Sequence, residues 1–155
     1  MIYLYNGVDS DSGLKPDLPK FEFLQKHKSN DTQLYEILNE CRVRKSEEEI
    51  NVMRYICKIS SEAHVRVLRE IKAGNKEYQI EALFAYHTHS TSGARFHAYN
   101  CICASGRNSA TLHYNVNDQL LKEDSFVLCD MGAKYKGYCA DITVTFPVSG
   151  KFNDR

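Results

Sequence analysis

The chain has 155 residues, of which 43% are apolar and 26% charged, and its twenty basic and twenty acidic side chains cancel. That length and balance belong to an ordinary globular domain with a real core, and the lack of a one-sign field argues against nucleic acid or an anionic membrane as partner. No apolar run approaches the ~20 residues of a membrane span, and Met1-Ile2-Tyr3-Leu4-Tyr5 lacks the basic start and long apolar stretch of a secretory signal.

Residues 1–40 read as an edge strand, Met1 to Gly7, followed by a turn around Asp9-Ser10-Asp11-Ser12-Gly13 and a connecting segment without a clean period. A helix is expected from Ser46, where Ser46-Glu47-Glu48-Glu49 has the capping-box pattern and three acids suit the positive helix end. Ile50, Met53, Ile56, Cys57, Ser60, His64, Val67, Leu68 and Ile71 keep helical spacing up to Gly74. A second helix is expected after Asn75, with Tyr78, Ile80, Leu83, Phe84 and His87 on its apolar side and Gly93 as its stop.

The period then changes to two. Tyr99-Asn100-Cys101-Ile102-Cys103-Ala104 reads as a strand, Ser105 to Ser109 as a turn, and Leu112-His113-Tyr114 as a short strand before a polar loop. Ser125 to Asp130 and Tyr138 to Phe146 read as two strands of a hairpin. Two helices followed by antiparallel strands define an α+β fold.

The hairpin carries the chemistry. Asp130 ends an apolar run and Asp141 lies inside another, where a carboxylate is costly unless paired or bound to a cation. A turn centred on Tyr135 and Lys136 would set residue 130 opposite residue 141, on one face and ~4.5–5.5 Å apart at Cβ. Two carboxylates so placed can hold divalent ions; the bland alternative is a hairpin whose aspartates simply face solvent. His113 can donate to a substrate, ligate a metal or satisfy a core carbonyl. His87 and His89, two apart on a helix, read as structural or solvated, His27 as exposed, and His64 and His97 have no recognisable partners.

Six cysteines, at 41, 57, 101, 103, 129 and 139, are expected as reduced thiols in the cytoplasm. Cys101-Ile102-Cys103 is a C-x-C pair rather than the C-x-x-C of common zinc sites.

Several stretches together resemble the prolidase family of pita-bread metallopeptidases. Cys41-Arg42-Val43 with Lys45-Ser46 is similar to the entry of its catalytic domain, and Lys58-Ile59-Ser60-Ser61-Glu62-Ala63-His64 and Lys76-Glu77-Tyr78 to its first helices. Tyr99 through Gly106, Asn108-Ser109-Ala110 and Leu112-His113-Tyr114 resemble its substrate-side segments. Asp130-Met131-Gly132 and Ala140-Asp141-Ile142-Thr143 resemble its first two metal-ligand motifs.

The resemblance implies residues 41–155 as the first half of a pita-bread domain, two helices packed on an antiparallel sheet, and residues 1–40 as the tail of an amino-terminal domain. It implies metal-dependent hydrolysis of dipeptides with a carboxy-terminal proline. Two divalent ions, manganese, would be held in part by Asp130 and Asp141, with His113, Tyr99 and Ile102 toward the substrate, in a cytoplasmic homodimer. The family's later histidine and two glutamate ligands are not found in these residues, and Asn115 stands where a glycine is common. The expectation is therefore a fragment that is inactive alone. An aminopeptidase P-like or creatinase-like relative and a non-catalytic pita-bread binding module are the rival readings.

Overall fold

The structure, a computed structural model, describes residues 1–10 and 12–152. Its backbone divides into two compact units, Met1–Ser46 and the part from Glu47 onward.

In the first unit, strand β1 (Ile2–Tyr3) pairs in parallel with β2 (Ser29–Asn30), and helices α1 (Glu22–Gln25) and α2 (Leu34–Val43) complete it. Asn30 Oδ1 accepts the amides of Thr32 and Gln33, each at 3.1 Å, and so bends the chain into α2. Helix α2 runs through the boundary expected between residues 40 and 41, and its first part occupies what the sequence offered as a connecting segment. It buries no residue completely and leaves Ile37 and Val43 exposed, while Leu34, Ile37, Leu38 and Cys41 keep a helical spacing that went unread.

In the second unit, α3 (Glu47–Glu70) begins directly after Ser46, as the capping pattern predicts. Ile56, Ile59, Ser60, Ala63, His64 and Val67 are its buried stripe. Helix α4 (Glu77–Ser92) ends at Gly93, whose φ of 71° is the left-handed helix stop. Its buried side differs from the predicted one: Tyr78 is exposed, and Glu77 is buried completely. A carboxylate can take that position because five donors meet it, described below.

Six short strands follow: β3 (Phe96–His97), β4 (Ile102–Ser105), β5 (Phe126–Asp130), β6 (Ala133–Tyr135), β7 (Tyr138–Cys139) and β8 (Thr143–Pro147). They form two antiparallel sheets, ordered β3-β6-β7 and β4-β5-β8. Alternation along β5 sends Val127 and Cys129 into a core shared with Ile56, Ile80 and Phe84. Phe126, Leu128 and Asp130 stay half-buried on the opposite face. The α+β class expected from the sequence is the one observed.

Three local expectations are corrected. The hairpin turns about Lys136 and Gly137, with Tyr135 paired to Tyr138, rather than about Tyr135 and Lys136. Both turn residues have positive φ, 51° and 89°, the backbone that the right-handed strand twist favours in a two-residue turn. The predicted strand from Tyr138 to Phe146 is interrupted between β7 and β8. Finally, Leu112-His113-Tyr114 is not a strand: His113 has φ of 54°, and the preceding predicted turn is a 3-10 helix, Gly106–Ala110.

Candidate metal centre

The shifted turn changes the register at the aspartates. Asp130 lies across the β5–β8 ladder from Thr143, not from Asp141. Asp141 is therefore two positions back along the same strand path, a diagonal neighbour that still shares a face. The phenol of Tyr99 shows that the two carboxylates do converge: its oxygen hydrogen-bonds Asp130 Oδ1 and stands 3.0 Å from Asp141 Oδ1. One phenolic hydrogen serves two acidic oxygens there, so the pair presses two negative charges onto a single donor. Burial, then Asp130 and then Asp141 push the Tyr99 hydroxyl well above its ordinary range, and it stays protonated as a donor.

The segment after Asp130 is clamped from several sides. His64 Nε2 on α3 lies 2.9 Å from the Met131 carbonyl, and Ser60 Oγ, one helical turn earlier, accepts the Ala133 amide at 3.2 Å. The Gly132 carbonyl accepts the Ala98 amide at 2.8 Å, which fixes the strand that delivers Tyr99. Met131 N donates to the Ile142 carbonyl at 3.1 Å, and Ala140 N to the Ala133 carbonyl at 3.0 Å. Thus both acidic segments are tied to each other by backbone bonds on either side of Gly132. His64, which had no recognisable partner in the sequence, is a buried support of this segment. Burial holds its pKa below the usual histidine value, and its neutral Nε2–H suits the carbonyl.

Ile102 is the direct cross-strand partner of Asp130, which places its half-buried side chain on the same face. Tyr99, Ile102, Asp130 and Asp141 are therefore brought together. His113 is exposed on the loop between the 3-10 helix and β5, and has no hydrogen bond to either aspartate.

That loop is held by Glu77, which sequence reasoning treated only as part of a helix. Its Oε1 accepts Ser105 N and Ser105 Oγ, both at 2.7 Å, and Asn108 Nδ2 at 3.1 Å; its Oε2 accepts Tyr114 Oη at 2.7 Å and Gln119 N at 3.1 Å. Burial alone would raise the Glu77 pKa, but these donors outweigh it and bring it below the usual carboxylate value. In return, Tyr114 is pushed up to about 12, first by burial and then by Glu77. Asn117 adds a second tie along β4, accepting Cys103 N at 3.0 Å and donating to the Cys101 carbonyl at 2.7 Å. The signal available for Glu77 was its helical spacing, three residues before Ile80 and seven before Phe84.

The donor chemistry fits a hard divalent ion. Two carboxylates on one face offer oxygen ligands of the kind manganese, magnesium and calcium prefer, and a cation removes the repulsion between them. Their four oxygens cannot complete the shells of two ions that want about six donors each.

Comparisons with known proteins bear on the same residues. The model of metallopeptidase family M24 matches residues 51–155. The Xaa-Pro dipeptidase of Rattus norvegicus is 43% identical over 152 residues, 96% of this chain and 31% of its own length. That of Homo sapiens is 43% identical over 150 residues, 94% of this chain and 30% of its own length. The chain thus spans about a third of the curated relatives it matches. Among solved structures, aminopeptidase P from Escherichia coli in its low-pH form is similar at a TM-score of 0.77 and 39% identity, covering 81% of this chain and 28% of that one. Proline aminopeptidase P II from Yersinia pestis gives a TM-score of 0.76 at 42% identity, with the same coverage of 81% and 28%. The likeness extends to the pita-bread fold of these aminopeptidases.

Proposed function

The chain belongs to metallopeptidase family M24, and we propose from that premise that it carries part of the active site of an enzyme hydrolysing dipeptides with a carboxy-terminal proline. The observation that carries the reading is the convergence of Asp130 and Asp141 on the Tyr99 hydroxyl. Asp130 and Asp141 are the residues that would hold two divalent ions, manganese in this proposal. Such ions supply an activated water at neutral pH and polarise a scissile carbonyl.

The chain's own residues do the positioning. Tyr99 keeps its proton and orients both carboxylates toward one point. Ser60 and His64 fix the backbone after Asp130 from behind the sheet. Ile102 supplies an apolar wall beside the pair. Glu77 and Asn117 anchor the loop that presents His113, which this reading assigns to the substrate side. No helix among the described residues is long and apolar enough to cross a membrane. The six free cysteines support a reducing, cytoplasmic setting. A homodimer belongs to the proposal through the resemblance alone.

The dipeptidase reading is favoured over an aminopeptidase because likeness to the dipeptidases extends over 94–96% of the chain, against 75% for the Escherichia coli Xaa-Pro aminopeptidase. The retained aspartates favour an enzyme over a binding module. The test is hydrolysis of an Xaa-Pro dipeptide with manganese. The 155 residues alone should give no turnover, and addition of the remaining part of a mammalian dipeptidase in trans should restore some. Turnover by the chain alone at the rate of a full-length relative would overturn the proposed division of the donor set.

A further inference from the structure

A second group of metal-ligating side chains lies apart from the aspartate pair. Glu81 on α4, His97 on β3 and Cys101 just before β4 offer one ligand atom each, and these atoms all lie within 4.8 Å of one another. Cys101 Sγ is already 3.4 Å from His97 Nδ1. Tetrahedral zinc, with bonds of about 2.0–2.3 Å, sets its ligand atoms about 3.5 Å apart. The sulfur–nitrogen spacing is thus the one such an ion needs, and a Glu81 carboxylate oxygen lies within 4.8 Å of both other ligand atoms.

The ring nitrogen that faces Cys101 is Nδ1, while His97 Nε2 is buried with no hydrogen-bond partner. Phe84 packs edge-on against the His97 ring, with centroids 5.7 Å apart, and limits its motion. Cys101 is 1% exposed, whereas Glu81 and His97 are half-buried and leave a path to solvent. Burial, and next the Glu81 charge, push the Cys101 thiol up to about 12.

We propose that Glu81, His97 and Cys101 form a second metal site, selective for zinc or a similarly soft divalent ion, with a fourth position for water. Cys101 gives its proton to solvent as the sulfur–metal bond forms. One thiolate and one carboxylate then balance the ion's two positive charges. Sulfur ligation separates this site from the oxygen-only aspartate pair, which suits harder ions. Because the site spans α4, β3 and the entry to β4, its metal would staple helix to sheet beside the segment leading to Tyr99. This inference does not depend on the dipeptidase reading.

Cobalt(II) titration of the whole chain tests it, because a thiolate ligand gives a cobalt charge-transfer absorption that carboxylates cannot. The band should appear and saturate, be displaced by zinc but not by manganese, and persist in the Asp130→Asn/Asp141→Asn double variant. Cys101→Ser should abolish it, with folding checked by circular dichroism. Glu81→Gln and His97→Ala should each weaken cobalt affinity by about tenfold or more, and they decide the matter if the serine variant does not fold. Absence of the band, its survival in folded Cys101→Ser, or unchanged affinity in both other variants would overturn the proposal.

Discussion

A Cβ on Gly132 would lie 1.8 Å from the carbonyl oxygen of Ala140. The two acidic segments meet at this point, and only a residue without a side chain lets their backbones approach so closely. Gly132→Ala should therefore destabilise the chain by about 3 kcal/mol and spread the aspartates apart. Thermal unfolding should show the loss, and manganese affinity should fall with it. An alanine variant of unchanged stability and unchanged metal binding would mean that the close approach is unimportant.

Glu77 should make the fold acid-sensitive. Its folded pKa lies below that of the unfolded chain, about 4.3. The unfolded state thus binds the proton more readily, so the contribution is complete above that value and is lost as pH falls through the lower folded pKa. Glu77→Gln should cost about 3 kcal/mol at neutral pH, because an amide turns donors toward donors and leaves buried groups unpaired. Denaturant titrations from pH 7 to pH 3 should show a flatter acid slope in the variant than in the parent. Identical slopes would remove Glu77 from its role.

His64→Ala should lower stability by about 2–3 kcal/mol, through a small cavity and an unpaired Met131 carbonyl. Its effect on manganese binding should exceed that of the exposed control His89→Ala, because of these two histidines only His64 braces the backbone next to Asp130. Equal effects of the two substitutions would contradict that support.

Tyr99→Phe keeps the ring and removes the shared donor. Manganese affinity should fall by about tenfold, as for other groups that orient metal ligands, while the circular dichroism spectrum stays unchanged. Affinity equal to the parent would show that the hydroxyl does not orient the carboxylates.

Much of this arrangement was legible in the residues. The Ser46 start and Gly93 stop of the helices, the apolar run ending in Asp130 and the pairing of two acidic motifs all follow from local chemistry. The register did not, because a turn set by positive φ at Lys136 and Gly137 shifts the strand partner from Asp141 to Thr143. The pair survives the shift because diagonal neighbours still share a face. The bonds of Glu77 and His64 were unreadable for another reason: their partners lie 28 or more residues away, so helical spacing can mark the burial of these side chains but not what they hold. Helix α2 was legible too, in the helical spacing of Leu34, Ile37, Leu38 and Cys41, and went unread. His113 was read as part of a short strand beside a loop, and its positive φ excludes that strand.

The most direct measurement is manganese binding by the chain, followed by electron paramagnetic resonance, in the parent and in Asp130→Asn, Asp141→Asn and the double variant. The account predicts weak but saturable binding in the parent, at least about tenfold weaker in each single variant and lost in the double one. Binding by the folded double variant that matches the parent would contradict it.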